Sequence, residues 1–424
     1  MKKIIIFLTL IFTSVFSLKN DYQAFANNKE DGFSISLPTY EHKTYKNVIL
    51  FIGDGMGVNT VEATRIYNGG DLAMTDYLDF ELLAYSRTDS ITSTGFAYDE
   101  SKNLIDPGVN EELYDGTPSP YGSDSLGTSG NITLYTDSAA GGTALATGQL
   151  TTNSRLAMDQ FGNPITSILE QASGLGKKTG VLTSDTIDGA TPAAFLSHVG
   201  ARHDKSGILQ SIATSPADLI IGQEPSEMKN NRSTYTSLYE SKGFDVTFKA
   251  DDLDINSSRI FSAIPGILPQ GIFTPTLEDL TIFSLDYLDN DEGFFLMVEG
   301  ANIDKQAHAN QSILVIEETL GFDHAINAAR HWVGDRKDTL IVITADHETG
   351  ALSFLQDPST LTKETVIENM KWLSTNHSRS LVRVDVSGDV REYLQKYEDE
   401  LNYIYDKYYF DHILVNRMLR YYLS

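Results

Sequence analysis

The chain of 424 residues contains no cysteine, which excludes disulfide bonds as a source of stability. The fold must therefore be held by its hydrophobic core or by bound metals. Basic residues are also scarce: 32 Lys and Arg face 58 Asp and Glu, for a formal net charge of −26. This balance argues against a nucleic-acid-binding surface. It also repels anionic substrates, so phosphate chemistry would need local positive charge, which metal ions supply naturally.

Apolar runs long enough to span a bilayer are absent, and the amino terminus comes nearest to one. Residues 1–18 combine a basic tip with an apolar run of about fifteen residues, typical of a secretory signal. An Ala-x-Ala sequence at Ala24–Ala26 predicts cleavage after residue 26. Cleavage near Ser17 and an uncleaved anchor are the alternatives. We therefore expect a signal peptide over residues 1–26 and export to the periplasm or the medium, with no membrane span after cleavage.

Continuous apolar runs predict buried parallel strands that open into loops. The four clearest runs are Asn47–Gly55, Lys177–Asp185, Gly293–Gly300 and Thr339–Gly350. Helical patterns lie between them, over residues 165–176, 276–288 and 312–333. This alternation predicts an α/β fold with a mostly parallel central sheet and helices on both faces. Residues 87–135 are rich in Ser, Gly and Asp, and we interpret them as a loop-rich insertion.

Three of these strands end in acidic residues. Asp54 and Glu299 each end an apolar run, and Asp346 ends another and is followed by His347. Ligands bind at the carboxyl ends of strands in open α/β sheets. One such acid could be a helix cap, but three strands with the same ending are much harder to explain by capping. The pattern predicts a ligand site at this edge of the sheet.

Asp304 and His308 extend the acidic pattern beyond Glu299. Their spacing of four residues places both side chains on one face of a helical turn, where they could share one ion. Zinc accepts both carboxylate oxygen and imidazole nitrogen. Standing alone, the pair would be interpreted as a surface ion pair. We predict that His377 lies in a polar loop just before another apolar strand.

The segment "TDSAAGGTALATG", Thr136–Gly148, contains almost no bulky side chain after Ser138. One interpretation is structural, with Ser138 as a helix N-cap and small residues that allow close packing on a sheet. The other is functional, because a serine at a helix N-terminus faces free backbone N–H groups and suits attack on an anionic group. The segment by itself leaves both interpretations open.

Five motifs, in this order, resemble the signatures of bacterial alkaline phosphatases: GDGMG, TDSAAGGTALATG, DGATPAAFLSHVGAR, VEGANIDKQAHA and TADHETG. The resemblance extends over about Asn47 to His377. It implies a single alkaline phosphatase-like catalytic domain over residues 27–424 that hydrolyses phosphate monoesters. It also implies two Zn²⁺ ions, one Mg²⁺ ion and a homodimer.

The same resemblance assigns roles to individual residues. Ser138 would be the nucleophile, and zinc-bound water would hydrolyse the resulting phosphoserine. Arg202 would clamp the phosphate, with Lys305 nearby. The implied metal ligands form three sites: a first zinc with Asp304, His308 and His377, a second zinc with Asp54, Asp346 and His347, and a magnesium site with Asp54, Glu299 and Thr191.

Gly189 departs from the family pattern. Two residues before Thr191 the family usually has Asp or His, which supports the third metal, whereas this chain has glycine preceded by Asp188. A glycine has no side chain to hold a hydration shell, which predicts a loosely held ion. The alternative is that Asp188 moves in, helped by the backbone freedom of Gly189.

Other functions share part of this pattern with phosphomonoester hydrolysis. A phosphodiesterase or a cofactor-independent phosphoglycerate mutase of the same superfamily would also have strand-end acids and a hydroxyl nucleophile. Arg202 and the Glu299–Thr191 pair favour monoesters, because a monoester has an extra oxygen to bind. A non-catalytic metal- or phosphate-binding surface protein would need no nucleophile. A sulfatase is disfavoured because there is no cysteine to convert into formylglycine.

Overall fold

The computed structural model describes residues 43–75, 82–90, 97–98, 104–105, 135–269, 275–397, 402–404 and 407–423. The predicted signal peptide and most of the predicted insertion over 87–135 lie outside these residues. The prediction of one catalytic domain over 27–424 therefore stays a prediction. Among the described residues, no helix has both the length and the apolar character needed to cross a bilayer.

Among the described residues, eleven strands form the main sheet, in the order β16-β17-β2-β15-β10-β1-β9-β5-β6-β8-β7. All strands, including three two-stranded ladders, have these bounds: β1 Asn47–Gly53, β2 Leu82–Arg87, β3 Ala97–Tyr98, β4 Leu104–Ile105, β5 Lys178–Thr186, β6 Leu219–Gln223, β7 Asp245–Thr247, β8 Ile260–Ile264, β9 Phe294–Gly300, β10 Thr339–Thr344, β11 Glu348–Thr349, β12 Ser353–Phe354, β13 Met370–Lys371, β14 His377–Ser378, β15 Val382–Ser387, β16 Asn402–Ile404 and β17 Lys407–Asp411.

The sheet is mostly parallel, as the sequence predicts. Neighbouring strands from β10 through β1, β9, β5, β6 and β8 to β7 all pair in parallel. Strand β15 is antiparallel to both of its neighbours, β10 and β2. Strands β1, β9 and β10 are buried along their whole length, which explains their continuous apolar runs.

Helices cover both faces of the sheet. The α-helices of the described residues are Val58–Asn68, Ser138–Thr147, Ile168–Gly174, Ala190–Leu196, Lys205–Ile212, Ser226–Asn230, Arg232–Ser241, Leu277–Leu288, Asn302–His308, Ser312–Val333, Val366–Asn369, Arg391–Lys396 and His412–Leu423. Short 3₁₀ helices occur at Ala73–Thr75, Ala250–Asp252 and Pro358–Thr360. Alternate residues of β1 enter two separate cores: Leu50 packs on one face, and Phe51 packs on the other. The predicted α/β architecture with helices on both faces is confirmed.

The three predicted helices are present, with ends set by local capping. The helix Ser312–Val333 has the predicted bounds. Thr276 lies outside the helix Leu277–Leu288 as its N-cap, in a capping box with Asp279. Ser167 forms a second capping box with Glu170, so the third helix begins at Ile168.

The register of four neighbouring strands aligns their carboxyl ends. Ile52 of β1 pairs with Thr344 of β10 on one side and with Glu299 of β9 on the other. Glu299 in turn pairs with Thr183 of β5. These four residues form one row across the sheet, and the chain leaves all four strands within a few residues of this row.

Candidate functional site

Four carboxylates converge where the aligned strands end. Glu299 lies in the shared row. Asp185 follows that row by two residues on β5, and Asp54 and Asp346 follow it by two residues just past the ends of β1 and β10. Residues two apart in a strand point to the same face, so the register brings these groups together. Asp54, Glu299 and Asp346 are buried. The predicted ligand site at this edge of the sheet is therefore a dense cluster of acids.

The Gly-Asp-Gly turn after β1 allows a helix to approach the cluster. Gly55 has φ of +73°, and a Cβ at this position would lie 2.8 Å from the Cα of Asp304. Its N–H donates to Asp346 Oδ1 at 3.3 Å. A side chain at residue 55 would thus push the helix Asn302–His308 away from the strand ends.

Ser138 is the first residue of the helix Ser138–Thr147, and Asp137 is its N-cap. The interpretation of Ser138 as the cap is therefore wrong. Asp137 accepts from the backbone N–H of Ala140, which leaves the Ser138 hydroxyl available for another role. Ser138 Oγ lies 3.1 Å from Nε2 of His347.

The small residues after Ser138 are required by close packing. All ten residues of this helix are buried. A Cβ on Gly141 would lie 2.7 Å from the carbonyl oxygen of Asp346, and one on Gly142 would lie 3.3 Å from the Cα of Thr191. The composition of the segment is thus explained by the approach of the helix to the acidic cluster and to the helix Ala190–Leu196.

His308 and His377 direct their Nε2 atoms at each other. His377 Nδ1 lies 2.7 Å from the carbonyl oxygen of Thr136, and His308 Nδ1 lies 2.6 Å from that of Thr375. Because a carbonyl only accepts, each Nδ1 carries a proton, and whenever such a ring is neutral its Nε2 presents a lone pair. The two Nε2 atoms are 3.2 Å apart, and Asp304 Oδ1 lies 3.4 Å and 3.6 Å from them. Such facing lone pairs suit a shared cation.

A small antiparallel ladder places His377 in the site. Thr349 of β11 pairs with His377 of β14, so the chain returns to the strand ends after a long excursion. The expectation of a polar loop at His377 is therefore corrected to a two-residue strand. The rings of His347 and His377 stack with centroids 3.5 Å apart.

Two groups of side chains meet the geometric demands of a metal site among the described residues. One is Asp54, Asp346 and His347, and the other is Asp304, His347 and His377. Within each group the candidate ligand atoms lie within 4.8 Å of one another. His347 belongs to both groups, whereas the family resemblance implied that it binds only the second zinc. His308 belongs to neither group, but its Nε2 lies 3.2 Å from His377 Nε2 and 3.4 Å from Asp304 Oδ1.

The electrostatics of the cluster fit cations. Burial, followed by the charges of neighbouring acids, raises the pKa of Asp54 well above its usual value. Burial and the charge of Asp185 raise the pKa of Glu299 to about 8, and burial and Asp304 raise that of Asp346 to about 7. Bound cations would favour the ionised carboxylates and offset this repulsion.

Asp304 behaves differently from the other acids of the cluster. Its burial alone would raise the pKa, but the hydrogen bond from His308 and the neighbouring imidazoles hold the pKa well below its usual range.

Unpaired buried oxygens give an independent test of the fit to metal ions. Asp54 Oδ1, Asp346 Oδ2 and Thr191 Oγ1 are buried and form no hydrogen bond. A buried oxygen without a donor costs free energy, and bound cations would offset that cost. Thr191 lies on the helix Ala190–Leu196, one of the elements that pack around Ser138. The residues present therefore fit a site for several cations.

Two cationic side chains lie at the rim, each held by an acid. Arg202 Nη1 lies 3.2 Å from Oδ2 of the buried Asp137, which places the guanidinium next to the residue preceding Ser138. Lys305 donates to Asp185. Burial alone would lower the pKa of Lys305, but the charge and hydrogen bond of Asp185 raise it. These two cations are the local positive charge that an acidic protein needs to attract an anion.

Sequence reasoning missed the roles of Asp137 and Asp185. Asp is a favoured N-cap, so the Asp-Ser order at the start of the small-residue helix was a usable signal. Asp185 follows the apolar run of β5 just as Asp54 and Asp346 follow theirs. The rule that identified three strand-end acids could therefore have identified this fourth one.

Comparison with known families agrees with this architecture. The family model described as "Alkaline phosphatase" matches residues 45–94, 120–224 and 222–404, which is most of the chain. Alkaline phosphatase 4 of Bacillus subtilis (strain 168) is 30% identical over 322 residues, covering 73% of this chain and 62% of that protein. Alkaline phosphatase 3 of the same organism is 30% identical over 325 residues, covering 74% and 63%. The chain thus spans less than two thirds of the length of these two relatives.

Solved structures share the fold. Alkaline phosphatase from the Antarctic bacterium TAB5 superposes with a TM-score of 0.67 at 22% identity, covering 90% of this chain and 99% of that one. A mutant of the TAB5 enzyme was solved with Mg bound in the site called M3. The family match over most of the chain, together with the aligned strand-end acids and the buried serine helix, leads to one conclusion: the chain belongs to the alkaline phosphatase family.

Proposed function

We propose that this protein is a metal-dependent phosphomonoesterase that uses Ser138 as its nucleophile. The observation that supports it most strongly is the position of Ser138 Oγ, 3.1 Å from Nε2 of His347, the one residue common to both candidate metal groups. The hydroxyl is also at the N-terminus of a ten-residue helix, where free N–H groups and the helix dipole favour an anionic phosphate.

The proposed reaction has two steps, in which individual residues of this chain have separate roles. Attack by Ser138 Oγ forms a bond to phosphorus and breaks the bond to the ester oxygen, which leaves as an alcohol. Water then attacks the phosphoserine, restores the Ser138 hydroxyl and releases inorganic phosphate. Arg202, held by Asp137 at Nη1, would bind two non-bridging oxygens through two of its guanidinium N–H groups. Lys305 adds positive charge at the rim.

The proposed metals are two Zn²⁺ ions and one Mg²⁺ ion. Asp304, His308 and His377 would hold one zinc, and Asp54, Asp346 and His347 the other. Glu299 and Thr191, with Asp54, would hold magnesium. The mutant of the TAB5 enzyme described above binds Mg in the site called M3. Bound zinc would lower the pKa of the Ser138 hydroxyl and stabilise the charge that develops on the leaving oxygen. The unpaired oxygens of Asp54, Asp346 and Thr191 support this assignment.

The test compares Ser138→Ala with Ser284→Ala. Ser284 is equally buried, but its hydroxyl donates to the Leu280 carbonyl within the helix Leu277–Leu288. We expect Ser138→Ala to lower kcat for p-nitrophenyl phosphate by more than about 100-fold, with zinc content unchanged. Ser284→Ala should keep the wild-type rate. A Ser138→Ala variant with most of the wild-type kcat would disprove the assignment.

Two further measurements distinguish this activity from the alternatives. Incubation with labelled inorganic phosphate at acidic pH should label Ser138, which a non-catalytic binding protein would not show. Turnover of p-nitrophenyl phosphate should exceed turnover of bis-p-nitrophenyl phosphate. The reverse preference would make the protein a phosphodiesterase.

We also propose that the protein is exported and forms a homodimer. Export is supported by the signal-like composition of residues 1–26, and the homodimer by the family resemblance. Cell fractionation with amino-terminal sequencing tests the first, and light scattering after gel filtration tests the second. Retention in the cytoplasm or a monomeric mass would contradict them.

A further inference from the structure

We propose that Asp185 replaces the side chain that residue 189 lacks, and thereby completes the third metal site and positions Lys305. This inference rests on the proposed function for the identity of the site. It assigns to Asp185 a role that the sequence pattern would give to residue 189 or to Asp188.

Asp185 fills the space beside Gly189. A Cβ built on Gly189 would lie 2.7 Å from Asp185 Oδ2 and 3.2 Å from Asp185 Cγ. The φ of Gly189 is −58°, which any residue can adopt, so backbone conformation does not require glycine here. The Asp185 carboxylate instead occupies the space that a side chain at residue 189 would take, and the carbonyl oxygen of Thr186, 3.0 Å from the same Cβ, borders that space. Gly189 and Asp185 therefore form a matched pair, in which one residue vacates the space that the other occupies.

Asp185 also connects to two residues of the proposed site. Its carboxylate accepts a hydrogen bond from Lys305. Its backbone N–H donates to Thr183 Oγ1 at 2.8 Å, and the same hydroxyl donates to Glu299. These contacts link the backbone of Asp185 to Glu299, at the end of the strand adjacent to β9, while Lys305 holds the Asp185 carboxylate. Asp185 thus holds Lys305 at the rim and adds negative charge beside Glu299.

Asp188 is engaged elsewhere. Lys205 Nζ donates to the Asp188 carbonyl oxygen at 2.7 Å and lies 3.9 Å from Asp188 Oδ2. Asp188 is also buried. Moving it toward Glu299 would break these interactions, whereas Asp185 already occupies the space in question. This arrangement favours Asp185 over the two earlier alternatives, a loosely held ion and a displaced Asp188.

The experiment measures magnesium binding without turnover. All variants carry Ser138→Ala, the zinc concentration is fixed, and the midpoint of the Mg²⁺-dependent rise in melting temperature is recorded. Asp185→Asn removes the charge with little change in shape, and Asp188→Asn is the matched control. Gly189→Ala keeps Asp185 and Asp188 but places a Cβ 2.7 Å from Asp185 Oδ2, so it displaces the Asp185 carboxylate.

We expect Asp185→Asn and Gly189→Ala to raise the Mg²⁺ midpoint by about 10–100-fold, the usual cost of losing a group that orients a metal site. Asp188→Asn should leave it within about threefold. The double change Asp185→Ala with Gly189→Asp should restore magnesium binding, because it returns a carboxylate to the same space from the neighbouring position. Inorganic phosphate should bind more weakly to Asp185→Asn than to Asp188→Asn, since Lys305 loses its partner.

Two results would overturn the inference. One is a large midpoint shift for Asp188→Asn with none for Asp185→Asn, which would assign the role to Asp188. The other is three single variants with superimposable magnesium curves. Failure of the proposed function is separate: a wild-type protein that hydrolyses no phosphate ester, yet shows the expected magnesium pattern, would refute the phosphatase and leave the role of Asp185 intact.

Discussion

At the scale of single residues, Asp137 connects the helix start to the anion-binding cation. Its Oδ1 accepts from the N–H of Ala140, and its Oδ2 accepts from the N–H of Ser154 and from Arg202. The residue is fully buried. Both oxygens of Asp137 accept hydrogen bonds. In an Asn side chain one of them becomes an NH₂ group, which would point its N–H at another N–H donor. The position therefore needs a carboxylate although Asn is in general an equally good N-cap.

Asp137→Asn should lower the free energy of unfolding by about 1–3 kcal/mol, because one buried donor loses its acceptor. It should also weaken phosphate binding through Arg202. Asp204→Asn is the control, since Asp204 caps the helix Lys205–Ile212 at an exposed site by accepting from Gly207. We expect it to cost less than about 0.5 kcal/mol. Chemical denaturation of the metal-loaded proteins checks both values, and equal costs would contradict this view of Asp137.

At the scale of secondary structure, the helix Ser138–Thr147 is positioned by its glycines. Gly→Ala in a helix normally stabilises by about 0.5–1 kcal/mol. At Gly141 the added Cβ would lie 2.7 Å from the backbone oxygen of Asp346, which cannot move without displacing β10. The helix must shift instead, and Ser138 shifts with it.

Gly141→Ala should therefore destabilise the protein by about 1–3 kcal/mol and lower kcat. Gly174→Ala is the matched change, because Gly174 ends the helix Ile168–Gly174 with nothing within 4 Å of a new Cβ. It should be neutral or slightly stabilising. Thermal denaturation and steady-state kinetics test the pair, and a stabilised, fully active Gly141→Ala would show that this close contact is not required.

A second element-scale feature couples His198 to the start of the helix Ile168–Gly174. His198 Nε2 lies 2.9 Å from Glu170 Oε1, and Glu170 also belongs to the capping box with Ser167. The hydrogen bond to Glu170 raises the pKa of His198 above its usual 6.5, although burial opposes this. For Glu170, burial would raise the pKa, but the hydrogen bonds from His198 and Ser167 lower it below 4.5.

A raised histidine pKa stabilises the fold fully below pH 6.5, and the contribution is lost as pH rises through the folded-state value. The stability difference between wild type and His198→Gln should therefore be larger at pH 6 than at pH 9. His331→Gln, which removes an exposed histidine of the helix Ser312–Val333, is the control variant. Denaturant melts at the two pH values measure this, and a difference that grows toward pH 9 would contradict the sign.

At the scale of the whole molecule, stability is tied to the acidic cluster. The protein has no disulfides and a net charge of −26, and its buried carboxylates meet at the strand ends. Without cations, Glu299 and Asp346 have pKa values of about 8 and 7. In the metal-free fold these two carboxyl groups therefore bind more protons than in the unfolded chain between about pH 4 and pH 8, so their contribution to stability falls as pH rises across this interval.

Removal of metals by a chelator should lower the melting temperature, and the loss should be larger at pH 9 than at pH 6. Zinc and magnesium together should restore it, because they favour the ionised carboxylates. Differential scanning calorimetry with elemental analysis provides the measurement. A protein free of metal with an unchanged melting temperature at pH 9 would refute the dependence.

The sequence determined the architecture and most of the proposed ligands by itself. Buried parallel strands require continuous apolar runs, so β1, β9 and β10 are visible in the sequence, and the acids that follow them share one sheet edge because parallel strands end together. The Asp304–His308 spacing needs only helix geometry. These are local patterns, in which a few neighbouring residues are enough to identify the structure.

Only the tertiary structure decided how distant segments meet. His377 enters the site through the β11–β14 ladder, which pairs it with Thr349, and no local pattern specifies that pairing. The role of Gly189 likewise depends on the position of Asp185 across the loop. The missing side chain matters because the Asp185 carboxylate occupies the space beside it. Such contacts result from packing between elements, whose register and close approach are fixed when the whole core forms.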